Sequence, residues 1–311
     1  MTATITEHLQ RYLAMRETLG YVCRKTHALH SYARFAEDRG EAFIRSETVL
    51  AWIAASPGIS PTYRVDKLRM AWAFARWLHA EDPRHEVPHR DALGQPRRRR
   101  PPPHLLSLPE ICALLHAALS LPPAGTITPL TWHYLFGLIA TTGLRISEAL
   151  ALIPEDITHD GLLVRQGKYR KSRMIALHPS TRIALDRYLA VRRREKTMDG
   201  HLFVIATGRP PSIDWTDENF RRLAVQTGIR EPGAARGPTP HSLRHSFAVR
   251  SLEALEPGED PNRHMLALAT YLGHSKVSRT YWYLESTPVL LRGIAEAAEQ
   301  THSIRRGGSH D

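Results

Sequence analysis

Cysteine is scarce in this chain of 311 residues, and long apolar runs are absent. The two cysteines, Cys23 and Cys112, are too few for a disulfide framework or a four-thiolate zinc site. The sequence contains no run of about 18 apolar residues, so no membrane-spanning helix is predicted. The N-terminus also lacks the basic region and apolar stretch of a secretory signal. These absences predict a protein of a reducing, cytoplasmic setting with no membrane partner.

Positive charge, in contrast, is plentiful. Lys and Arg number 42 against 31 Asp and Glu, which gives a formal net charge of +11. An excess of this size favours a polyanionic partner, with nucleic acid ahead of an anionic membrane surface. A basic enzyme without such a partner is the alternative. The excess is divided almost evenly between residues 1–104 and the remainder, so both parts of the chain are expected to contact the same polyanion.

The first part of the chain has the periodicity of helices only. Apolar spacing and end signals predict four helices in a domain of residues 1–90, at about 6–19, 25–38, 46–55 (with Ser46 as its N-cap) and 61–80. A linker of residues 91–104 follows, rich in proline and therefore extended. It contains Arg97, Arg98, Arg99 and Arg100, which form either a basic strap along a phosphate backbone or a solvated spacer.

Residues 105–299 have a mixed pattern, and residues 300–311 a loose tail. Ser107 and Glu110 form a capping box ahead of a helix at about 108–119. Short strands at 162–164 and 174–177 flank a basic hairpin tip. Further helices are predicted at about 130–141 (ending at Gly143), 145–152, 179–194, 215–227, 240–255, 265–272, 275–283 and 288–298. The predicted fold is mainly α with a small β-hairpin or sheet.

Three short motifs bear residues with the chemistry to bind or attack a phosphate. TGLRISE places Arg145 at a helix start, where backbone amides favour an anion. HSLRHSFA places His241 and Arg244 three residues apart in the first turns of a helix. LGHS contains His274, and Tyr283 follows it in TYWYL. Each motif alone is typical of ordinary structural contacts.

Together and in this order, the motifs resemble those of the tyrosine recombinase (phage integrase) family. The resemblance covers about residues 105–299, as an α+β catalytic domain, and residues 1–90 resemble the family's core-binding domain. It implies that the active-site residues are Arg145, Lys168, His241, Arg244, His274 and Tyr283.

The resemblance also implies a reaction, in which DNA is cut and rejoined by transesterification. A tyrosine attacks phosphorus and leaves a 3′-phosphotyrosine, so neither ATP nor a cofactor is needed. Arg145, Arg244 and the two histidines would neutralise the charge that develops on phosphate oxygens. His241 would also accept the tyrosine proton, and Lys168 would protonate the leaving hydroxyl.

Two of these assignments have rivals in the sequence. Tyr281 and Tyr283 lie about 200° apart on a helix, so only one can face the phosphate. The family spacing favours Tyr283. On the hairpin, Tyr169 replaces a glycine that usually follows the family's lysine, which leaves Lys171 as a rival to Lys168. If Lys168 is the catalytic lysine, Lys171 is expected to contact the DNA.

Glu148 and the histidines raise two further questions. Three residues past Arg145, Glu148 is expected to hold that arginine in place, and a surface acid is the alternative. His241, His245 and His274 could be drawn as a metal site, but no HExxH motif, cysteine pair or adjacent carboxylate supports one. We therefore expect neither a metal nor a cofactor.

The implied partner is double-stranded DNA with specific recombination sites. The resemblance implies a homotetramer in the synapse, built from protomers that are monomeric off DNA, with accessory recombinases as further partners. A type IB topoisomerase and a DNA-binding architectural protein without catalysis are the alternatives. Whether the role is that of an integrase, a transposon recombinase or a resolvase stays open, with TYWYL favouring the transposon type.

Overall fold

The computed structural model describes residues 3–21, 26–94, 103–165, 172–195, 200–255 and 259–273. The chain divides into two compact units, Met1–Arg100 and Pro101–Asp311. The linker arginines Arg97 to Arg100, the predicted helices at 275–283 and 288–298 and the tail 300–311 lie outside the described residues.

The first unit consists of helices in its described part. They are α1 (Ile5–Thr18), α2 (Thr26–Glu37), α3 (Ser46–Ala54) and α4 (Pro61–Glu81). Their apolar faces meet in one core that includes Leu9, Tyr32, Trp52, Leu68 and Phe74. Residues spaced at helical intervals in the sequence thus share a buried face, as amphipathic helices require.

One local prediction in this unit is wrong. Ser46 is the first helical residue of α3 rather than its N-cap, which is Arg45. The carboxylate of Glu86 accepts the Ser46 backbone N–H at 2.9 Å and so replaces a side-chain cap. Helix α1 ends at Thr18, close to its predicted end at about residue 19, and Leu19 is 65% exposed.

The second unit has seven α-helices and three strands among its described residues. In chain order these are α5 (Leu108–Ala118), α6 (Ile127–Thr142), α7 (Ile146–Leu150), β1 (Ile157–Thr158), β2 (Gly161–Val164), β3 (Arg173–Ile175), α8 (Pro179–Arg192), α9 (Ile213–Gln226), α10 (Pro240–Glu253) and α11 (Pro261–Tyr271). Helix α6 packs against α5, α8 and α10 and is buried around most of its surface. Among the described residues of both units, every helix falls short of the length or apolarity of a membrane-spanning segment.

The sheet is a small antiparallel meander of order β1-β2-β3. Leu162 pairs with Ile157 on one side and with Ile175 on the other. Strand β1 was not predicted, because two residues cannot display a period-two pattern. The predicted class, mainly α with a small sheet, is confirmed. The register places Arg173 opposite Val164, the last residue of β2.

Candidate active site

A tight turn after α6 delivers Arg145 to the start of α7. Gly143 ends α6 with φ +63°, and its N–H donates to the Ile139 carbonyl at 2.9 Å. A Cβ at Gly143 would lie 2.5 Å from the ring of Phe247. The turn therefore needs glycine for both its conformation and its close approach to α10. Arg145 follows in extended conformation as the N-cap of α7.

Glu148 holds Arg145 in two ways. One Glu148 oxygen (Oε1) accepts from the Arg145 guanidinium at 2.6 Å, and the other (Oε2) accepts from the Arg145 backbone N–H at 3.1 Å. Only 8% of Glu148 is exposed. A surface acid is thereby excluded, since a carboxylate buried to this degree requires charged or hydrogen-bonding partners.

Arg173 is a second partner of Glu148, and no motif in the sequence indicates this role. Its two terminal nitrogens donate to the two carboxylate oxygens of Glu148, at 3.1 and 2.8 Å. In the sequence it follows a basic hairpin tip and has no motif of its own. No local sequence pattern marks it, because its partners lie 25 residues away at Glu148 and 98 residues away at Tyr271.

The ionisation of Glu148 follows from these partners. Burial by itself raises the pKa of Glu148, but the hydrogen bonds and charge of Arg173, and then those of Arg145, outweigh it and hold the pKa at about 2. The carboxylate is therefore charged at neutral pH. With two guanidinium groups on one carboxylate, the cluster keeps a net positive charge.

The end of α11 gathers three arginines. Three consecutive carbonyls, those of Tyr271, Leu272 and Gly273, form what we call the 271–273 turn. They accept from Arg173 at 2.9 Å, Arg244 at 2.8 Å and Arg145 at 3.0 Å, in that order. The last carbonyls of a helix lack intrahelical donors and attract cations. This turn is thus a common anchor for arginines from β3, α10 and the start of α7.

Arg244 and His241 lie in different environments on α10. Arg244 is 1% exposed, and besides Leu272 it donates to the carbonyl of Gly143, the residue that ends α6. His241 lies at the exposed start of the helix, with its ring 4.3 Å from that of the buried His245. Two turns therefore bring these residues together. Arg244 bonds both the turn at Gly143 and the 271–273 turn, and Arg145, with its partner Glu148, bonds the 271–273 turn. His241 lies one helical turn before Arg244.

The remaining predicted site residues are not part of this geometry. Lys168, its rival Lys171, His274, and Tyr283 with its rival Tyr281 lie outside the described residues. In the sequence His274 directly follows Gly273, the last described residue. Within the described ranges, no three His, Cys, Asp or Glu side chains come together as metal ligands.

Comparisons with known proteins give the family. Residues 107–288 match the phage integrase family. A putative integrase/recombinase of Sinorhizobium fredii is 35% identical over 96% of this chain and 98% of the relative. The tyrosine recombinase XerC of Rhodospirillum centenum is 32% identical over 80% of this chain and 70% of its own length.

Solved structures give the same fold. A XerH site-specific recombinase in a post-cleavage complex aligns with a TM-score of 0.64 at 18% identity, over 87% of this chain and 80% of that one. The Tn1549 transposon integrase in complex with a circular intermediate DNA aligns with a TM-score of 0.63 at 19% identity, over 89% and 94%.

The chain belongs to the phage integrase family of tyrosine recombinases, enzymes that cut and rejoin DNA strands in site-specific recombination. The topoisomerase and the non-catalytic alternatives are not favoured by these relatives.

Proposed function

We propose that Tyr283 attacks a DNA phosphodiester held by Arg145 and Arg244. A bond forms between the tyrosine oxygen and phosphorus, and the bond from phosphorus to the 5′ oxygen breaks. The products are a 3′-phosphotyrosine and a 5′-hydroxyl. The observation that supports this most is the anchoring of both arginines on the 271–273 turn, directly before His274 in the sequence.

The two arginines suit the charge that develops in this reaction. Negative charge accumulates on the non-bridging phosphate oxygens in the transition state. Planar guanidinium groups can donate two parallel hydrogen bonds to such oxygens. The anchoring carbonyls and Glu148 fix these groups before the substrate arrives, which lowers the cost of reorganisation during the reaction. His241 and His274 donate to the same oxygens.

The protons move between named groups. His241 accepts the tyrosine proton, because a phenol with a pKa near 10 is a poor nucleophile at neutral pH. Lys168, with Lys171 as its rival, gives a proton to the leaving 5′ oxygen. The 5′-hydroxyl of a second strand then attacks the phosphotyrosine, and the same steps run in reverse. No cofactor enters this scheme.

The partner we propose is double-stranded DNA with specific recombination sites. The net charge of +11 supports contacts by the helical unit (1–90), the linker (91–104) and the catalytic domain (105–299). A tetramer of this chain would assemble on two sites from protomers that are monomeric off DNA, with accessory recombinases as further partners. Because its partner is DNA, we propose that the protein acts in the cytoplasm, at the nucleoid.

Trapping of the covalent intermediate tests the nucleophile. Nicked duplexes tiled across the DNA that flanks the gene would release a short 5′-hydroxyl fragment on cleavage, so that religation fails. We expect a denaturant-resistant protein–DNA adduct from the wild type and from Tyr281→Phe, the matched control, and none from Tyr283→Phe. An adduct formed by Tyr283→Phe, or none by the wild type on any duplex, would contradict the proposal.

A further inference from the structure

Arg173 joins three elements of the catalytic unit through one side chain. It is the first residue of β3, and its side chain is 16% exposed. Its terminal nitrogens donate to Glu148 on α7, and its Nε donates to the Tyr271 carbonyl at the end of α11 at 2.9 Å. All three guanidinium nitrogens therefore have acceptors, and the acceptors lie 25 and 98 residues away in the sequence.

The absence of a side chain at Gly273 leaves room for this guanidinium. The φ of Gly273 is +65°, and a Cβ there would lie 3.0 Å from a terminal nitrogen of Arg173. The same glycine offers its carbonyl to Arg145 at 3.0 Å. Arg173 thus packs against the turn that anchors Arg145 and also bonds the carboxylate that holds Arg145.

We propose that Arg173 is a positioning residue for the recombination reaction, which orients Arg145 toward the scissile phosphate by holding both Glu148 and the 271–273 turn. The inference rests on the proposed function, in which Arg145 binds that phosphate.

The charges explain why one arginine would not be enough. Glu148 and Arg145 alone would form a neutral pair, and the carboxylate would compete with a phosphate for the same guanidinium. With Arg173 on both carboxylate oxygens, the cluster has a net charge of +1 and Arg145 keeps its attraction for an anion. Loss of Arg173 should therefore reduce the stabilisation of the transition state more than it reduces the affinity for DNA.

The loss of Arg173 should also change the protonation of Glu148. Burial raises the pKa of this carboxyl, and Arg173 is the strongest of the groups that lower it. Without Arg173, we expect Glu148 to take up a proton at a higher pH than in the wild type. A protonated Glu148 no longer balances the charge of Arg145, so the rate should acquire a new dependence on pH.

The first measurement separates rate from binding. Single-turnover adduct formation is followed at increasing concentrations of a nicked duplex that the wild type cleaves. For Arg173→Gln we expect the limiting rate to fall about 10- to 100-fold, as when a partner that orients a functional ligand is removed. The half-saturating DNA concentration should stay within about threefold, a modest change on the scale of additive phosphate contacts.

A matched control comes from the same hairpin. Arg165 directly follows β2 and bonds Asp156, away from Glu148 and the 271–273 turn. Arg165→Gln removes the same charge but none of the described bonds to Glu148 or to the 271–273 turn, so its limiting rate should stay within about threefold of the wild type. Equal losses of rate in the two variants would overturn the inference.

The second measurement is a pH profile, which a purely structural role would not change. The rate of Arg173→Gln divided by that of the wild type should rise as the pH is lowered from 8 to 5, because protonation of Glu148 in the variant frees Arg145 to attract the phosphate. Other titrating groups cancel in the ratio. Glu148→Gln introduced into both proteins should make the ratio independent of pH. A ratio that is constant with Glu148 in place would contradict the proposed link.

A conservative variant keeps the inference testable if Arg173→Gln fails to fold. Arg173→Lys keeps the charge but cannot reach three acceptors at once, so we expect a rate about tenfold lower and a ratio that does not vary with pH. A full wild-type rate in Arg173→Lys would refute the positioning role. A wild type that forms no adduct would instead refute the proposed function, so the two failures are distinguishable.

Discussion

Glu148 is the residue on which the geometry of the candidate site depends most. It is buried, ionised and shared by Arg145 and Arg173. A buried ion pair often adds little net stability, but the removal of one partner leaves an uncompensated charge. The site therefore responds more strongly to changes in this carboxylate than to changes in exposed ion pairs.

Glu148→Gln should destabilise the fold in a pH-dependent way. At pH 7 we expect the free energy of unfolding to fall by about 3–5 kcal/mol, since two guanidinium groups lose their counter-charge. The pKa of Glu148 is held at about 2 in the folded chain, below its ordinary value of 4.5. The stabilisation is thus complete above pH 4.5 and disappears as the pH falls toward 2.

Chemical unfolding at several pH values checks this prediction. The difference between the wild type and Glu148→Gln should shrink steadily below pH 4.5. Glu218→Gln is the control, because Glu218 forms an exposed pair with Arg221 and should change the unfolding free energy by about 0.5 kcal/mol or less. A difference that is independent of pH would show that the charge of Glu148 does not stabilise the fold.

Individual residues of the site differ in how far the sequence could predict them. Arg145 and Arg244 were found because three motifs in a fixed order together resemble those of the family, although each motif alone is typical of ordinary structural contacts. Arg173 was not found, because its partners are distant in the chain and nothing local distinguishes it from the neighbouring cations. Contacts that depend on tertiary packing leave no short-range signal.

Elements were predicted best where apolar periodicity is long. The helices among the described residues appear within a few residues of their predicted bounds, and Gly143 ends α6 as predicted. The prediction of the N-cap failed where a residue distant in the sequence satisfies the helix start instead of a neighbouring side chain, as Glu86 does for α3. No strand was predicted at β1, which is too short for a pattern.

Gly143→Ala tests the turn that joins α6 to α7. The alanine would adopt an unfavourable positive φ, at about 1–2 kcal/mol, and its Cβ would lie 2.5 Å from the Phe247 ring. Overpacking of this kind costs about 1–3 kcal/mol more. We expect a total loss of about 2–5 kcal/mol of unfolding free energy, together with slower adduct formation, because the turn positions Arg145.

Gly228→Ala separates the two contributions in the same assays. Gly228 has φ +72° and no atom within 4 Å of its would-be Cβ, so only the conformational cost of about 1–2 kcal/mol applies. Equal destabilisation by the two substitutions would mean that the contact with Phe247 does not matter.

Charge is the property that acts over the whole molecule. Its excess is spread along the chain, and the family acts on DNA, whose binding releases counterions from phosphates. The sequence predicts this general attraction. It does not predict base recognition, which depends on the groove position of individual side chains.

Whether the linker arginines form a strap along the phosphate backbone or a solvated spacer can be tested, because the two roles predict a different salt dependence of DNA binding. Replacement of Arg97, Arg98, Arg99 and Arg100 by Gln should lower the steepness of log K against log salt by about 3.6 if each arginine contacts a phosphate, at about 0.9 per contact. A solvated spacer predicts almost no change. Fluorescence anisotropy on one duplex between about 50 and 200 mM salt measures the slope.

The control removes the same charge elsewhere. Four exposed arginines that pair with acids, namely Arg11, Arg45, Arg84 and Arg221, are replaced by Gln in one protein. If net charge alone governs binding, both quadruple variants should lose affinity equally with little change of slope. A reduced slope confined to the linker variant would identify direct phosphate contacts, because only displaced counterions, and not long-range attraction, change the number of ions released.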